Sequence, residues 1–170
     1  MHAAGMTPVV CEAARETQAV GVGINLLPHA VRELTELGLG EELASIALPP
    51  RRLVYYDRRG TQVWKEPLGR VAGYRWPQYS VHRGRLQMML LDAVRARVGP
   101  DAVRTGLAFD RFEHGTSGAT AFFLGRRGGP PVAERGDVLV GADGIDSRLR
   151  AQLHPGEVPR SATMFSCGAA

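Results

Sequence analysis

Apolar residues recur along this chain with two spacings, and the change from one to the other marks out its expected elements. Residues 6–11 (MTPVVC) form a short apolar run that ends at Glu12 and predicts a buried strand. Residues 13–25 contain glycines and show no period, which predicts loop. Pro28 suits the first turn of a helix. Ala30, Val31, Leu34 and Leu37 then keep helical spacing, and Gly38 ends it. A further short helical turn is expected over residues 41–46. Residues 52–56 and 61–65 read as two strands of a hairpin around Asp57-Arg58-Arg59-Gly60. Residues 78–82 are extended and lead into the strongest helical pattern, residues 84–98. There Leu86, Leu90, Ala93 and Val94 form the apolar stripe, with Met89 beside it and Gly99-Pro100 as the stop.

The second half is richer in strand. Residues 103–107, 109–113, 119–124 and a short piece near Val132 are expected strands joined by glycine-rich turns. Residues 137–142 (DVLVGA) are apolar on both faces, the pattern of a parallel strand covered on both sides. A helix over residues 145–153 should follow, capped by Asp146 or Ser147. No internal repeat is present. The order of strand, helix, small antiparallel hairpins, buried strand and helix predicts an α/β nucleotide-binding layer with β insertions.

Composition narrows the class. The 170 residues, 44% hydrophobic and 22% charged, suffice for one globular domain with a core. No apolar run is long enough to span a bilayer, and no basic-then-apolar signal opens the chain, so the expectation is a cytoplasmic protein without a membrane role. Cys11 and Cys167 lack metal spacing and fit reduced thiols, Cys11 as a small core residue. The formal charge of +4 raises nucleic acid as a partner. However, the basic residues are arginines apart from Lys65 and are spread along the chain rather than gathered in a stripe, so no nucleic-acid partner is expected.

Four features carry candidate chemistry. Glu12 closes the first expected strand, where an acid in a dinucleotide fold accepts hydrogen bonds from ribose hydroxyls; taken alone, a solvated acid closing a strand is the more ordinary reading. The matching glycine fingerprint belongs about 20 residues upstream. Only eleven residues precede Glu12, which implies a chain that starts inside the crossover helix. Gly21-Val22-Gly23 would let main chain approach a flat ring closely, though a plain glycine loop has the same composition. Arg83 and Gln87 lie four apart at the start of the best helix and share a face, suited to a pyrophosphate and its ribose or to solvent. His82 beside them has no partner acid in view and reads as structural. Asp143-Gly144, with Asp146, Ser147 and Arg150 after it, is the sharpest signal. A buried strand would deliver a carboxylate to a tight turn opening a helix, where it can bind main-chain N–H groups and hold a loop against a dinucleotide. The plain alternative is a strand-to-helix turn with an Asp cap.

These segments together resemble the class A flavoprotein hydroxylases, the para-hydroxybenzoate hydroxylase-like family. GADGIDSRLR resembles its Asp-Gly motif, YSVHRGRLQMMLLDAV its arginine-containing helix, and VGVGINLLPHAVRELTELGLG the loop and helix after its second strand. With LVYYDRRGTQVWKEP, the resemblance is strongest to the phenazine-carboxylate hydroxylase branch and covers residues 1–163. It implies a partial GR2-type, Rossmann-like FAD-binding domain with β-hairpin insertions and the start of a substrate-domain sheet. On that reading residues 1–160 form an incomplete FAD/NAD(P)-binding domain, and 161–170 an aberrant tail. The resemblance also implies FAD as cofactor, NADH or NADPH as co-substrate, and hydroxylation of a small aromatic, phenazine-like substrate through a flavin C4a-hydroperoxide. Carried over residue by residue, Glu12 matches the ribose acid, Gly21, Val22 and Gly23 the loop near the flavin, Arg83 the FAD-contacting arginine, and Gln87 a neighbouring helix position. Asp143 and Gly144 match the motif that serves both FAD and NAD(P)H. The sequence departs from the family in three places. It has no GxGxxG, it carries Gln18-Ala19 where the family has Arg-Pro, and it diverges after Thr163-Met164 with no Gly-Asp motif following. Those departures imply a truncated, inactive piece; the alternatives left open are a non-catalytic nucleotide-binding or interaction module and another flavin chemistry on the same fold.

Overall fold

The structure is a computed structural model and describes residues 1–125 and 130–157. In chain order the elements are β1 (Val10–Glu12), β2 (Gly23–Leu26), α1 (Pro28–Glu36), α2 (Gly40–Ile46), β3 (Ala47–Leu48), β4 (Arg52–Tyr56), β5 (Gln62–Pro67), β6 (Tyr79–His82) and α3 (Arg83–Val98). They continue with β7 (Val103–Thr105), β8 (Leu107–Gly115), β9 (Gly118–Gly125), β10 (Val132–Gly136) and α4 (Arg148–Leu153). The fold is mixed α/β. Two units divide it, one of Met1–Val10 with Glu16–Arg104, the other of Cys11–Arg15 with Thr105–Ala170. The short strands β1 and β7 pair with each other.

The first unit is built around α1, α2, α3 and the sheet β2-β6-β3. Its core is Val31, Leu43, Ala47, Val81 and Leu86, backed by Leu26, Leu34, Ile46, Trp76, Tyr79 and Met89. Pro28 occupies the start of α1, where its missing N–H costs nothing. Gly38 takes φ 74° and donates to the Thr35 carbonyl at 2.9 Å, which stops the helix, and Arg97 from α3 donates to the Leu37 carbonyl at 2.6 Å. The β4–β5 hairpin is set by its turn. Asp57 Oδ1 accepts from the N–H groups of Thr61 and Arg59, both at 2.8 Å, and these hold its carboxyl below the usual carboxylate range. Gly60 adopts φ 83° to close the loop.

The second unit is an antiparallel meander, β8-β9-β10, with α4 on β8. Ala121 and Phe123 are buried, and Phe109 meets Phe123 edge-to-face at 6.0 Å. The β8–β9 register shifts between Phe109 and Arg111, a bulge at Asp110, and the Arg111 guanidinium lies 3.8 Å from the centre of the Phe122 ring.

Hairpin, α1, α2, α3 and meander match the sequence expectation to within a few residues. Several details differ. The first strand is shorter, starting at Val10, and it ends at Glu12 as expected, though Val10 is exposed rather than buried. Part of the glycine segment expected as loop is strand β2, because its main chain pairs with β6, something a side-chain pattern does not reveal. Leu37 and Leu90 are exposed while Leu39 and Leu91 are buried. After α1 the Gly38 turn swings the next residue inward; in α3 Leu86 stays buried and Ala93 and Val94 are half-buried, with Leu91 in place of Leu90. The run 137–142 is not a strand. A strand needs at least one neighbour to pair with, and among the described residues none pairs with this run; Val138 and Val140 are 72% and 57% exposed. Correspondingly α4 starts at Arg148 instead of residue 145. Cys11 is half-buried rather than a core residue, and Cys167 and the divergent tail lie outside the described residues. Among the described residues no helix is long and apolar enough to cross a membrane.

Candidate functional site

The expected site residues fall into two groups, one in each unit. In the first unit, β2 pairs antiparallel with β6 so that Gly23 stands opposite His82 and Ile24 opposite Val81. Because α3 begins immediately after His82, this register sets the glycine segment beside the first turn of α3. The Arg83 N–H, one of the donors that a helix start leaves without an intrahelical acceptor, donates to the Val22 carbonyl at 3.0 Å. The Arg83 side chain turns onto Gly21. A Cβ built there would stand 2.6 Å from Nε, 2.9 Å from Nη2 and 3.0 Å from Cζ, and Gly21 also has φ 128°. Only glycine leaves room for the guanidinium in that place. Over Gly23 nothing comes within 4 Å of the corresponding position, so its main chain is bare. Gln87 is exposed one turn along α3 from Arg83, while Leu86 next to it faces the core. His82 is the exposed N-cap residue of α3, with no side-chain capping bond.

In the second unit, Glu12 Oε1 accepts from the Ala14 N–H at 2.6 Å, and Gly106 N–H donates to the Ala14 carbonyl at 2.8 Å, so the turn after β1 is tied down. A carboxylate accepts up to about four hydrogen bonds, which leaves this one capacity for ligand hydroxyls. Asp143 organises the other turn. Its Oδ1 accepts from the Ser147 hydroxyl at 2.5 Å and its Oδ2 from the Leu149 N–H at 3.2 Å. Ser147 Oγ in turn accepts from the Arg150 N–H at 2.9 Å and is the N-cap of α4. Partial burial works to raise the Asp143 pKa. The Ser147 hydroxyl and the N–H groups of Leu149, Asp143 itself and Arg148 outweigh it, so the carboxyl lies below its usual value. Gly144 has φ 86° and open space around it, and Leu149 packs over the bare main chain of Gly141. The Arg150 guanidinium donates to the Ile145 carbonyl at 2.7 Å, bracing the turn from the other side.

Two contributors escape a motif search. Gln152 pairs through its side-chain amide with β8, accepting from the Phe112 N–H at 2.9 Å and donating to the Phe112 carbonyl at 2.6 Å. It attaches the helix behind the Asp-Gly turn to the sheet, and nothing in its local sequence sets it apart. Gly84 lies under the main chain of Ala19, and its one sequence signal is a glycine in the first turn of an otherwise well-formed helix. A cleft of about 530 Å³ in the first unit, lined by Glu41, Glu42, Arg70, Arg75 and Trp76 among others, includes none of the candidate residues.

No family model matches the chain. It is 48% identical over 157 residues to a phenazine 1,6-dicarboxylic acid hydroxylase of Lysobacter antibioticus, an alignment covering 91% of this chain and 39% of the relative. It is 33% identical over 145 residues to an FAD-dependent urate hydroxylase of Klebsiella pneumoniae, covering 83% of this chain and 35% of that protein. The homologues of this chain are FAD-dependent aromatic monooxygenases. Solved structures agree in fold. Klebsiella pneumoniae HpxO complexed with FAD and uric acid superposes with a TM-score of 0.68 at 31% identity, over 84% of this chain and 34% of that one. The p-nitrophenol 4-monooxygenase of Pseudomonas putida reaches 0.77 at 17% identity over 89% of this chain and 38% of that one, a likeness of fold alone. This chain therefore spans less than half the length of these family members.

Proposed function

We propose that this chain contributes part of the FAD site of a monooxygenase that hydroxylates a small aromatic, phenazine-like acid at the expense of NADH or NADPH. The observation that carries the proposal is the Arg83 guanidinium lodged against the bare main chain of Gly21 at the head of α3. An exposed guanidinium beside open glycine backbone at a helix start suits a pyrophosphate with a flat ring next to it. Glu12 would accept from the ribose hydroxyls, Gln87 would add an amide on the Arg83 face, and the Gly21-Val22-Gly23 main chain would lie close to the ring system. Asp143 and Gly144 would hold the second turn open toward the cofactors. Within the first unit, Arg83 and the open glycine main chain thus fit FAD, while Glu12, Asp143 and Gly144 are assigned to it by the resemblance. When bound, FAD supplies the redox chemistry and the activation of dioxygen; the protein's part is to bind, orient and exclude water. The phenazine-like substrate class rests on the 48% identity to the Lysobacter hydroxylase.

The 170 residues contain no GxGxxG, so alone they supply only part of a pyrophosphate site, and weak FAD binding without turnover is expected of them. The test is a chimera in which this chain replaces the aligned 157 residues of the Lysobacter hydroxylase. Near-stoichiometric flavin with NAD(P)H oxidation stimulated by phenazine carboxylates is expected. A folded chimera that takes up no flavin would refute the assignment. A second reading, a nucleotide-binding module without turnover, draws on the unpaired, exposed 137–142 run, and flavin uptake without substrate-stimulated NAD(P)H oxidation would favour it.

A further inference from the structure

Gly84 occupies the second position of α3, a 16-residue helix. Its backbone is not in the left-handed region, so glycine is not needed there for its φ. Glycine is also the poorest helix former after proline, so the helix alone would favour alanine at this position. The reason for glycine is space. A Cβ at Gly84 would stand 2.3 Å from the Ala19 carbonyl carbon, 2.5 Å from its oxygen and 2.7 Å from its Cα. All three are main-chain atoms, so no rotamer change relieves the contact. From this approach we infer that Gly84 is a positioning residue: it lets the Ala19–Gly23 main chain lie on the first turn of α3 and so fixes the Arg83 guanidinium against Gly21. Three contacts within a few residues then act together, namely Ala19 over Gly84, the Arg83 N–H on the Val22 carbonyl at 3.0 Å, and the Arg83 side chain on Gly21. A methyl group at Gly84 lifts the loop from the helix start and removes the surface on which Arg83 rests.

The inference rests on the assignment of Arg83 to FAD only for its functional consequence, and the test separates the two. Amide hydrogen exchange on the 170-residue chain reads the clamp without any ligand. In Gly84→Ala the Arg83 amide is expected to exchange at least about tenfold faster, while amides from Leu86 to Val94 keep their rates or slow as the helix gains alanine. An unchanged Arg83 amide would overturn the inference. Should Gly84→Ala not fold, the wild-type chain decides. Its Arg83 amide is expected to be protected at least about tenfold over those of Gly84 and Arg85, which sit in the first turn where helices leave donors unpaired. Equal rates at the three would also overturn it. FAD titration of the same variants, up to millimolar cofactor, reads the consequence. Gly84→Ala is expected to weaken binding several-fold, Ala19→Gly in the Gly84→Ala background is expected not to restore it, and Arg83→Ala/Gly84→Ala is expected to bind no more weakly than Arg83→Ala. Additive losses would show that Gly84 does not act through Arg83. A wild-type chain that binds no FAD, with the expected exchange pattern, would count against the flavin assignment and leave the clamp standing.

Discussion

Arg83 and Asp143 are both held by their surroundings, but in different ways. Arg83 is placed by steric permission: Gly21 leaves the space, and the guanidinium itself stays exposed and available. Truncating it should therefore disturb the fold little and the ligand much. Arg83→Ala in the chimera is expected to weaken FAD binding by about 1.5–3 kcal/mol, the scale of a charge-assisted hydrogen bond, with the melting temperature nearly unchanged. Titration of the apoprotein checks it, and an unaltered dissociation constant would return Arg83 to the role of a solvated helix residue. Asp143 is placed by hydrogen bonds that favour its ionised form. A carboxyl whose folded-state pKa is depressed stabilises the fold fully above its unfolded value, about 3.9, and loses that contribution as pH falls through the lower folded value. The melting-temperature gap between wild type and Asp143→Asn is thus expected to be widest near neutral pH and to close below about pH 4. A gap independent of pH would show that the ionised form does not matter. The group is exposed, so the effect should be small, and the turn rather than the whole fold should feel it.

Among the elements, those whose reasons are local were legible in the sequence. The β4–β5 hairpin carries its own turn chemistry in Asp57 and Gly60, and α1 carries its start and stop in Pro28 and Gly38. β2 was not legible, because Gly23-Ile24-Asn25-Leu26 becomes a strand only by pairing with β6, more than 50 residues away. The attachment of α4 was equally hidden. Gln152 reads as a solvated helix residue until β8 is beside it, where its amide pairs with both main-chain groups of Phe112. Gln152→Ala is expected to lower stability by about 1 kcal/mol, since both Phe112 groups can then turn to water on an exposed strand edge. Urea unfolding measures the loss, and faster exchange at the Phe112 amide would place it at this contact. A variant with wild-type stability and wild-type Phe112 exchange would mean that α4 is held by something else.

At the scale of the whole chain, the sequence pattern and the structure give opposite environments to one segment, and a single pair of substitutions decides between them. The Asp-Gly turn was legible because Asp143, Gly144, Ser147 and the helix after them form a local unit. Its expected strand was not borne out, because a doubly covered strand is a property of its neighbours, and residues 137–142 have no pairing partner among the described residues. In the structure Val138 and Val140 face solvent, as do Val22, Leu48 and Val63. Charged residues at exposed positions change stability by no more than about 0.5 kcal/mol each, whereas a charge forced into a buried strand costs several kcal/mol. Val138→Asp/Val140→Asp in the 170-residue chain is therefore expected to leave the unfolding midpoint within about 1 kcal/mol of wild type. It is also expected to reduce binding of a hydrophobic dye and light scattering on concentration, because it breaks an exposed apolar run. The same pair in the chimera probes the opposite environment, since a dinucleotide fold offers this run neighbouring strands on both sides. There it is expected to abolish folding or flavin uptake. Severe destabilisation of the 170-residue chain itself would show that residues 137–142 are buried as a strand in it, and that the apolar pattern rather than the exposed arrangement describes this segment.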